Sequence, residues 1–589
     1  MIKLPLNTIK REVARNFRIK PFNIFNSFTK SSRRFFTTEE TSKDREELET
    51  DVVIVGGGPS GLATAIKLKQ LAKANNKEID VTIVEKGAEI GSHILSGNVF
   101  ESSVMAELIP DWVEKGAPIS TKVTKDKFLI LTQNSSISIP QILLPKDTHN
   151  IGNHIVSLSE VCRWLGKEAE ELGVNVFTGF SANDIIFNKE TNRIEGIMTN
   201  DFGIGKNGEK KENFQAGVNI KAKYTVLAEG ARGSISEKVL DKFNLRTCPS
   251  KYGIGLKEVW EVPENHPHFS PGLVQHSVLW PLTQKEYGGS FLYHMSPNLI
   301  HIGFVVGLDY KNPYINPYEE FQKFKTHKEI RKFLEGGRCI SYGARTMNSS
   351  GFYSIPKMAF PGGLFVGCSA GLLNVSKIKG AHNAIRSGII AAQTINEVII
   401  NNKKDIGKLY ESNFRKSPIY AELYRSRNFK GGYKSGLFSG MIHSFLINLS
   451  KGKEFWSLKP TKKDSECTQK KSDHKPIEYP KHDGKLTFDL LENLARSGTN
   501  HEGDQPSHLK IKPNLKLSNL KSLNEYGAPE EKFCPAKVYE FIKNEKGEPV
   551  LQINAQNCLH CKCCSIKMVD EYIDWTVPEG SGGPKYNLM

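Results

Sequence analysis

The sequence predicts a mixed α/β and α+β protein with three parts: a Rossmann-like nucleotide-binding domain, an antiparallel sheet inserted into it, and a small C-terminal domain of ferredoxin-like type. Three observations predict this fold class. A strand–glycine–helix pattern begins at Asp51, alternating apolar and polar segments follow between about 250 and 350, and five of the ten cysteines lie in the last 56 residues. A chain of 589 residues is also too long for a single core.

Residues 51–62 carry the pattern that indicates a nucleotide site. The apolar run Asp51–Val55 fits a buried parallel strand, and helical spacing begins at Leu62. Between them, Gly56 permits a tight turn, Gly58 lets a pyrophosphate approach the backbone, and Gly61 lets the helix pack closely on the strand. The alternative is a glycine-rich turn without a ligand. The predicted dinucleotide contacts are Val55, Gly56, Gly57, Gly58, Pro59, Ser60, Gly61 and Leu62.

Later strand ends indicate which dinucleotide binds. The strand Val81–Val84 ends at Glu85, whose carboxylate suits ribose hydroxyls and disfavours a 2′-phosphate. Two further strand-and-glycine segments, 228–230 and 362–371, are expected to return to the same nucleotide. Because the fingerprint begins the folded chain and these segments return to it, FAD is favoured over NAD. The sequence has no second fingerprint for a nicotinamide cofactor, so reducing equivalents are expected to arrive from elsewhere. The remaining predicted FAD contacts are Glu229, Gly230 and Gly367.

The N-terminus carries half of the chain's net charge of +16, because residues 1–38 contain nine Lys or Arg against one acid. This segment is rich in hydroxyl residues and has no apolar run of signal-peptide length, which is typical of a mitochondrial transit peptide. An unspecific basic tail is the alternative. No basic-aromatic stripe follows, so a nucleic-acid partner is not expected. With 38% hydrophobic and 24% charged residues, the chain is not predicted to be wholly disordered.

The segment 436–449 is the longest apolar stretch, and it is too short to span a bilayer. Lysines and arginines flank it on both sides, which is typical of a helix lying in a membrane interface. An ordinary core helix is an equal alternative at this point. A lysine-rich stretch then predicts a solvated linker over 456–485.

The C-terminal cysteines have the spacing of an iron–sulfur site. Cys558, Cys561 and Cys564 are three residues apart, and Cys534 precedes a proline in a separate segment. Three close ligands and a remote Cys-Pro match a [4Fe-4S] cluster, whereas structural zinc usually needs two Cys-x-x-Cys pairs. Cys563 falls at a non-ligand spacing and is interpreted as a spare thiol.

Four polar residues upstream of the cysteines resemble a metal site in composition alone. Their spacing is irregular, and the stretch contains Gly, Asn and Pro. A polar loop or a domain contact is therefore the favoured interpretation of His501, Glu502, Asp504 and His508.

With these motifs in place, the chain resembles the family of electron transfer flavoprotein-ubiquinone oxidoreductases along essentially its whole length after residue 38. The resemblance is carried by segments 51–62, 252–258, 287–294, 303–314, 374–380, 497–501 and 552–558. It implies a Rossmann-like FAD-binding domain with an inserted antiparallel-sheet quinone domain and a ferredoxin-like [4Fe-4S] domain. It also implies quinone contacts at Gly288 and Gly289, where the residues alone would favour a hairpin turn.

The expected organisation follows from the residues and the resemblance together. It comprises a transit peptide (1–38), a first FAD-binding part (48–250), a ubiquinone-binding domain (251–350), a returning FAD-binding part (351–455) with an interfacial segment near 436–449, a linker (456–485) and a cluster domain (486–589). Related flavin hydroxylases usually place an Asp after the strand glycine near the ribityl chain, whereas this chain has Cys368 after Gly367, a change that the family shares.

The resemblance implies an enzyme that accepts electrons from reduced electron-transfer flavoprotein and passes them through FAD and the cluster to ubiquinone, on the matrix side of the mitochondrial inner membrane. A flavin-dependent monooxygenase or prenyl reductase of the same fold group is the alternative enzyme, although its substrate reacts at the flavin and needs no cluster. An assembly or docking protein with a degenerate nucleotide site and structural zinc is the non-enzyme alternative.

Overall fold

The computed structural model describes residues 45–97, 99–402 and 405–589. The predicted transit peptide (1–38) lies outside the described residues.

The strands are numbered in chain order. They are β1 Glu47–Val55, β2 Val81–Glu85, β3 Val99–Phe100, β4 Thr121–Lys122, β5 Lys125–Leu131, β6 Ser136–Ile139, β7 His154–Ile155, β8 Asn175–Thr178, β9 Ala182–Asn188, β10 Arg193–Thr199, β11 Phe202–Ile204, β12 Lys210–Gln215, β13 Asn219–Leu227, β14 Tyr252–Glu261, β15 Leu273–Leu279, β16 Gly288–Met295, β17 Leu299–Gly307, β18 Arg338–Asn348, β19 Ala359–Phe360, β20 Gly363–Phe365, β21 Leu509–Ile511, β22 Tyr539–Lys543, β23 Pro549–Ile553 and β24 Ile573–Trp575.

The α-helices are numbered in the same way. They are α1 Pro59–Ala74, α2 Ser103–Leu108, α3 Leu158–Glu171, α4 Ser234–Lys242, α5 Pro317–Lys325, α6 Lys328–Leu334, α7 Ala381–Asn401, α8 Ile406–Arg415, α9 Pro418–Arg425, α10 Phe429–Gly432, α11 Leu437–Ser450, α12 Leu490–Ala495, α13 Ser518–Lys521, α14 Glu530–Phe533 and α15 Cys564–Lys567.

The first sheet has β1 near its centre. β1 pairs in parallel with β2 and β13, and these strands pair in parallel with β8 and β20. Residues 52–55 are buried as a continuous apolar run, which parallel strands need when other elements cover them. α1 packs on β1 and β2 and also against α7. The predicted Rossmann-like part is confirmed.

The second sheet has seven strands in the order β18-β14-β17-β16-β15-β5-β6. All of its pairings are antiparallel except β15 with β5. β14 is buried along nearly its whole length, and α5 packs on β14 and β17. The predicted inserted antiparallel sheet is therefore present, and it is wider than expected.

The two additional strands of the second sheet, β5 and β6, cross a predicted domain boundary. β5 and β6 lie within the expected first FAD-binding part (48–250), yet they extend the second sheet beyond β15. His276 of β15 is paired with Phe128 of β5 across a long sequence separation. Local residue patterns carry no signal for such a distant pairing, which is why the sequence boundary was wrong here.

The C-terminal part contains two small antiparallel pairs, β21 with β24 and β22 with β23. Its cysteines and aromatic residues belong to the same core cluster as the second sheet. The predicted linker 456–485 contains no strand or α-helix. It is nevertheless anchored, because the buried carboxylate of Asp464 accepts from Tyr252 N at 2.8 Å and lies 3.0 Å from Lys251 Nζ.

Candidate functional site

The glycine loop between β1 and α1 has the geometry that a nucleotide needs. Gly56 has φ +110°, and a side chain there would meet Ala228 O at 2.6 Å. A Cβ on Gly61 would clash with Gly56 O, so this glycine brings the helix onto the strand. A Cβ on Gly58 would meet only Ile94 Cδ1 at 3.7 Å, which leaves the backbone open to a ligand. The backbone geometry at these three glycines therefore fits the nucleotide loop that their spacing predicts.

Glu85 lies at the end of β2 beside this loop, as predicted. Its carboxylate accepts from Gly57 N and Gly87 N, each at 2.8 Å. These two bonds fix the side chain next to the first helix turn, where the adenosine ribose of a bound dinucleotide lies. Glu85 is thus held in place by backbone groups on both sides.

The three other predicted FAD contacts, Gly367, Gly230 and Glu229, have different local surroundings. Gly367 has φ +60°, and a Cβ there would meet Ser60 Oγ at 2.6 Å, so the segment after β20 returns to the glycine loop. Gly230 has φ +79° and lies beside Arg345. The carboxylate of Glu229, however, accepts from Ser236 N at 2.6 Å and Ser236 Oγ at 2.7 Å. Glu229 therefore holds the start of α4 with its carboxylate, and its expected contact with the cofactor stays a prediction.

The four predicted cluster ligands surround one buried cavity. Cys534, Cys558, Cys561 and Cys564 all line it, and each is 8% exposed or less. Burial raises the pKa of Cys534 and of Cys558 to about 12. Such thiols stay protonated at neutral pH and become thiolates when a metal replaces their protons. The residues present fit an iron–sulfur cluster.

Two buried donors beside this cavity add to the fit. Within the described ranges, the hydroxyl of Tyr539 and the indole N–H of Trp575 have no nitrogen or oxygen partner, and each has a cysteine thiol beside it instead. Tyr539 faces Cys564, and Trp575 faces Cys558. Buried polar groups are rarely left unpaired, and cluster sulfurs are acceptors that both side chains suit. The sequence did not indicate these residues, because neither stands at a motif position.

Cys563 lines the same cavity and is 1% exposed. It directly precedes α15, whose first residue is Cys564. The structure therefore places a fifth thiol beside the four predicted ligands.

The loop with the three close cysteines contacts both other parts of the protein. Thr346 Oγ1 in β18 donates to Cys561 O at 2.7 Å. Arg232 Nη2, just before α4, donates to Ser565 O at 2.6 Å. The cysteine cavity is thus fixed directly against the second sheet and against the nucleotide-binding part.

The structure separates the four polar residues around position 501. Glu502 and Asp504 are exposed and lie within 3.9 Å of Lys211 Nζ, which is the domain contact expected. His501 and His508 are buried with His560 of the cysteine loop, and their ring nitrogens lie within 4.8 Å of one another. Burial lowers the pKa of all three, and the nearby Lys86 ammonium contributes. That ammonium disfavours a cation, and His501 Nε2 and His560 Nε2 share a 2.9 Å hydrogen bond.

Gly288 and Gly289 form the start of β16 and do not form a hairpin turn. Gly288 is paired with Val306, and Gly289 with Val305. A Cβ on Gly289 would meet Ser277 O at 2.8 Å. The interpretation as a turn is wrong, because these glycines permit close strand packing.

α11 covers the predicted interfacial segment and is not a core helix. One side of it is exposed and apolar, as is Phe455 beyond its end. These residues are Phe438, Ile442, Phe445, Leu446, Leu449 and Phe455. Within the described ranges, no helix is both long enough and apolar enough to cross a bilayer.

Three family models match the chain. Residues 252–347 match "ETF-QO, ubiquinone-binding", and residues 484–587 match "Electron transfer flavoprotein-ubiquinone oxidoreductase, 4Fe-4S". Residues 50–261 match "Pyridine nucleotide-disulphide oxidoreductase". Together they confirm the predicted fold class and the predicted cofactors, FAD and a [4Fe-4S] cluster.

Relatives that match over most of their length are also named electron transfer flavoprotein-ubiquinone oxidoreductase. The mitochondrial electron transfer flavoprotein-ubiquinone oxidoreductase of Arabidopsis thaliana is 49% identical over 92% of this chain and 85% of its own length. The mitochondrial proteins of the same name from Bos taurus and Homo sapiens are each 48% identical, over 94% of this chain and 91% of theirs.

A solved structure supports the fold alone. A geranylgeranyl bacteriochlorophyll reductase-like protein of Thermoplasma acidophilum superposes with a TM-score of 0.51 at 17% identity, covering 69% of this chain and 90% of its own. A sequence identity of 17% does not support the alternative function of a prenyl reductase. The family models, in contrast, match the quinone-binding and cluster regions of this chain. The chain belongs to the family of electron transfer flavoprotein-ubiquinone oxidoreductases.

Proposed function

We propose that this protein accepts electrons from reduced electron-transfer flavoprotein and delivers them in pairs to ubiquinone at the matrix face of the mitochondrial inner membrane. When bound, the [4Fe-4S] cluster supplies one-electron storage and FAD supplies one- or two-electron storage. The chain's own residues hold these groups at fixed separations and exclude water from them. The electron-transfer step itself requires no acid–base triad.

The observation that carries the proposal is the fixed position of the cysteine loop. Its backbone accepts from Thr346 of the second sheet and from Arg232 beside the nucleotide-binding part. Lys562 Nζ, between two cluster ligands, also lies 3.2 Å from Ser234 Oγ in α4. A redox group in the cavity is therefore held rigidly next to the parts that bind FAD and quinone.

The neighbourhood of Gly288 supports quinone entry beside α11. Leu437 N, at the start of α11, donates to Gln284 O at 2.8 Å. The rings of Tyr287 and Tyr433 are 5.1 Å apart between centroids, which packs the residue before Gly288 against the approach to α11. These contacts place the start of α11 beside the segment that leads to Gly288, which supports entry of a lipid-soluble quinone at this helix.

The exposed side of α11 supports contact with a lipid surface. Phe445 and Leu449 are exposed on it, and Lys434, Lys451 and Lys453 flank the helix. Apolar side chains between lysines suit an anionic interface. Outside α11, Ile142 in the segment Gln141–Leu143 is also apolar and is 89% exposed.

Reduction of a soluble ubiquinone by reduced electron-transfer flavoprotein tests the function. We expect purified protein with bound FAD and four irons to reduce the quinone catalytically. Activity with a direct organic substrate of the flavin, without quinone reduction, would overturn the proposal. Zinc without flavin would support the non-enzyme alternative instead.

Vesicle binding tests the membrane proposal separately. We expect Phe445→Asp to weaken co-sedimentation with anionic vesicles by roughly tenfold or more, because it places a charge on the apolar side of α11. Leu517→Asp is the matched control, since Leu517 is an exposed leucine of the C-terminal part, 76% exposed, and does not belong to α11. Equal loss of binding in both variants would contradict a role for α11.

A further inference from the structure

A buried lysine stands in the wall of the cysteine cavity. Lys562 directly follows the predicted ligand Cys561, lines the cavity and is 9% exposed. Its φ of +68° lies in the left-handed region, which a residue with a side chain adopts only where the surrounding contacts hold it there. Backbone strain of this kind concentrates at functional sites, so the position of this side chain requires an explanation.

Two contacts fix the ammonium of Lys562. Its Nζ lies 3.2 Å from the centre of the Trp575 ring and 3.2 Å from Ser234 Oγ. Ser234 is the first residue of α4, and the carboxylate of Glu229 accepts from Ser236 N in the same helix turn. The ammonium is therefore held between the cysteine cavity and the nucleotide-binding part.

The Trp575 ring has a second cation beside it. Lys86 Nζ lies 5.0 Å from the ring centre, and Lys86 directly follows Glu85, the last residue of β2. The indole N–H of the same ring faces Cys558. A cation over an indole is attracted by the ring electrons and polarises the N–H bond, which makes it a better donor. Lys562 can therefore act on a cluster in the cavity both directly and through Trp575.

The charges around Lys562 leave room for a negative group in the cavity. Burial lowers the pKa of Lys562, as do Lys86 and Arg345, whereas Glu229 and Cys564 raise it. Iron binding converts the thiols of the cavity into thiolates. Their negative charge favours the ammonium form of a neighbouring lysine. A bound cluster is thus the counter-charge for this buried side chain.

We propose that Lys562 raises the reduction potential of the [4Fe-4S] cluster and so sets how readily the cluster takes up an electron. Reduction adds one electron to the cluster, and no bond forms or breaks at Lys562. The reduced cluster carries one more negative charge than the oxidised cluster, so a fixed cation beside it stabilises the reduced form more strongly. Lys562 is a positioning residue in this role, because it neither binds iron nor carries the electron.

This inference goes beyond the proposed function, since it requires the cluster but no particular electron donor or acceptor. A redox titration of the complete enzyme with dithionite tests it, and electron paramagnetic resonance of the reduced cluster measures the potential. Lys562→Met removes the charge and keeps a long side chain. We expect the equilibrium constant for cluster reduction to fall about tenfold, which is about 59 mV for a one-electron couple. Iron content should equal that of wild type.

Two further variants at the same position separate charge from packing. Lys562→Arg keeps the positive charge, so the equilibrium constant should stay within about twofold of wild type. Lys562→Gln has no charge but keeps an N–H group that can donate to Ser234 Oγ, and we expect it to reproduce the fall in Lys562→Met. If Lys562→Met does not assemble the cluster, the comparison of Lys562→Gln with Lys562→Arg gives the same answer.

Lys567→Met is the matched control. Lys567 is a fully buried lysine at the end of α15, and it does not line the cavity. Its Nζ donates to Tyr310 O at 2.6 Å. Because this ammonium is bound outside the cavity, we expect a clearly smaller fall in the potential of the cluster.

The outcomes separate the two proposals. An unchanged potential in Lys562→Met and Lys562→Gln overturns the role of Lys562, and so does an equal fall in Lys567→Met. A full fall in Lys562→Arg, or loss of the cluster in all three Lys562 variants, would assign this residue to packing and would also contradict the proposal. Failure of the wild-type protein to reduce ubiquinone with reduced electron-transfer flavoprotein overturns the proposed function and leaves this inference standing.

Discussion

The glycine loop and the cysteine cavity are the two candidate cofactor sites, and they differ in the groups that form them. The loop depends on backbone geometry, since Gly57 N and Gly87 N hold Glu85 and the glycines set the distance between α1 and β1. The cavity depends on side chains whose thiols are raised in pKa by burial. The shape of the loop is therefore set by the backbone itself, whereas the thiols of the cavity must lose their protons to bind iron.

Removal of a cluster ligand should give the largest effect. Cys561→Ala leaves three thiols and a buried space, so we expect loss of the cluster and destabilisation by about 4 kcal/mol or more. Iron content, the visible spectrum and thermal unfolding measure this. Cys162→Ala is the control, because Cys162 is also buried, lies in α3 and does not line the cavity. A variant that kept four irons and full quinone reduction would contradict the assignment.

A pair of serine variants then identifies the third ligand of the loop. We expect Cys564→Ser to lose the intact cluster and Cys563→Ser to retain it, because the spacing of three residues favours Cys564. Electron paramagnetic resonance of the reduced proteins distinguishes them. The reverse result would show that Cys563 binds iron in this chain.

A methyl group at Gly61 should disrupt the glycine loop, because it forces α1 away from the backbone of β1 and the loop. Gly61→Ala places Cβ against Gly56 O, and a clash of this kind costs about 1–3 kcal/mol. FAD content after purification and the midpoint of thermal unfolding should both fall. Gly407→Ala in α8 serves as the control, since a Cβ there meets nothing closer than 3.5 Å. Equal FAD content in both variants would argue against close packing as the role of Gly61.

Loss of one donor to the cluster should give the smallest effect. Tyr539→Phe removes a hydroxyl that faces Cys564 and keeps the ring. A net hydrogen bond is worth about 1 kcal/mol, which is about 40 mV for a one-electron couple. The reduced cluster carries more negative charge and loses more stabilisation, so the reduction potential should fall. A redox titration followed by electron paramagnetic resonance measures the shift, and an unchanged potential would exclude this hydrogen bond.

The elements that the sequence predicts well are those whose cause is local. The strand Val81–Glu85, the glycine spacing and the close cysteines each depend on neighbouring residues, and the structure has all of them. β5 and β6 were assigned to the wrong part, because the parallel pairing of β5 with β15 is decided by packing between distant segments. Glu229 has a strand-end position like that of Glu85, yet Ser236 binds its carboxylate.

The residues that sequence analysis missed owe their positions to the same long-range packing. Trp575 lies in β24 and faces Cys558. His560 lies in the cysteine loop, and it contacts His501 and His508 of a separate segment. Their sequence neighbours give no sign of this. Tyr539 and Trp575 become recognisable as donors to the cysteines only in the folded chain, where their polar groups are buried beside Cys564 and Cys558.

The hydrogen bond from Leu437 N to Gln284 O joins the start of α11 to the segment that precedes β16. Under the proposed contact of α11 with lipid, the bilayer is also the reservoir from which we expect the quinone to arrive. Turnover at constant total quinone should then fall when inert phospholipid is added, because the enzyme responds to the mole fraction of quinone in the lipid and not to its amount per volume. Such surface dilution would link the rate of this enzyme to the lipid-to-quinone ratio of the membrane.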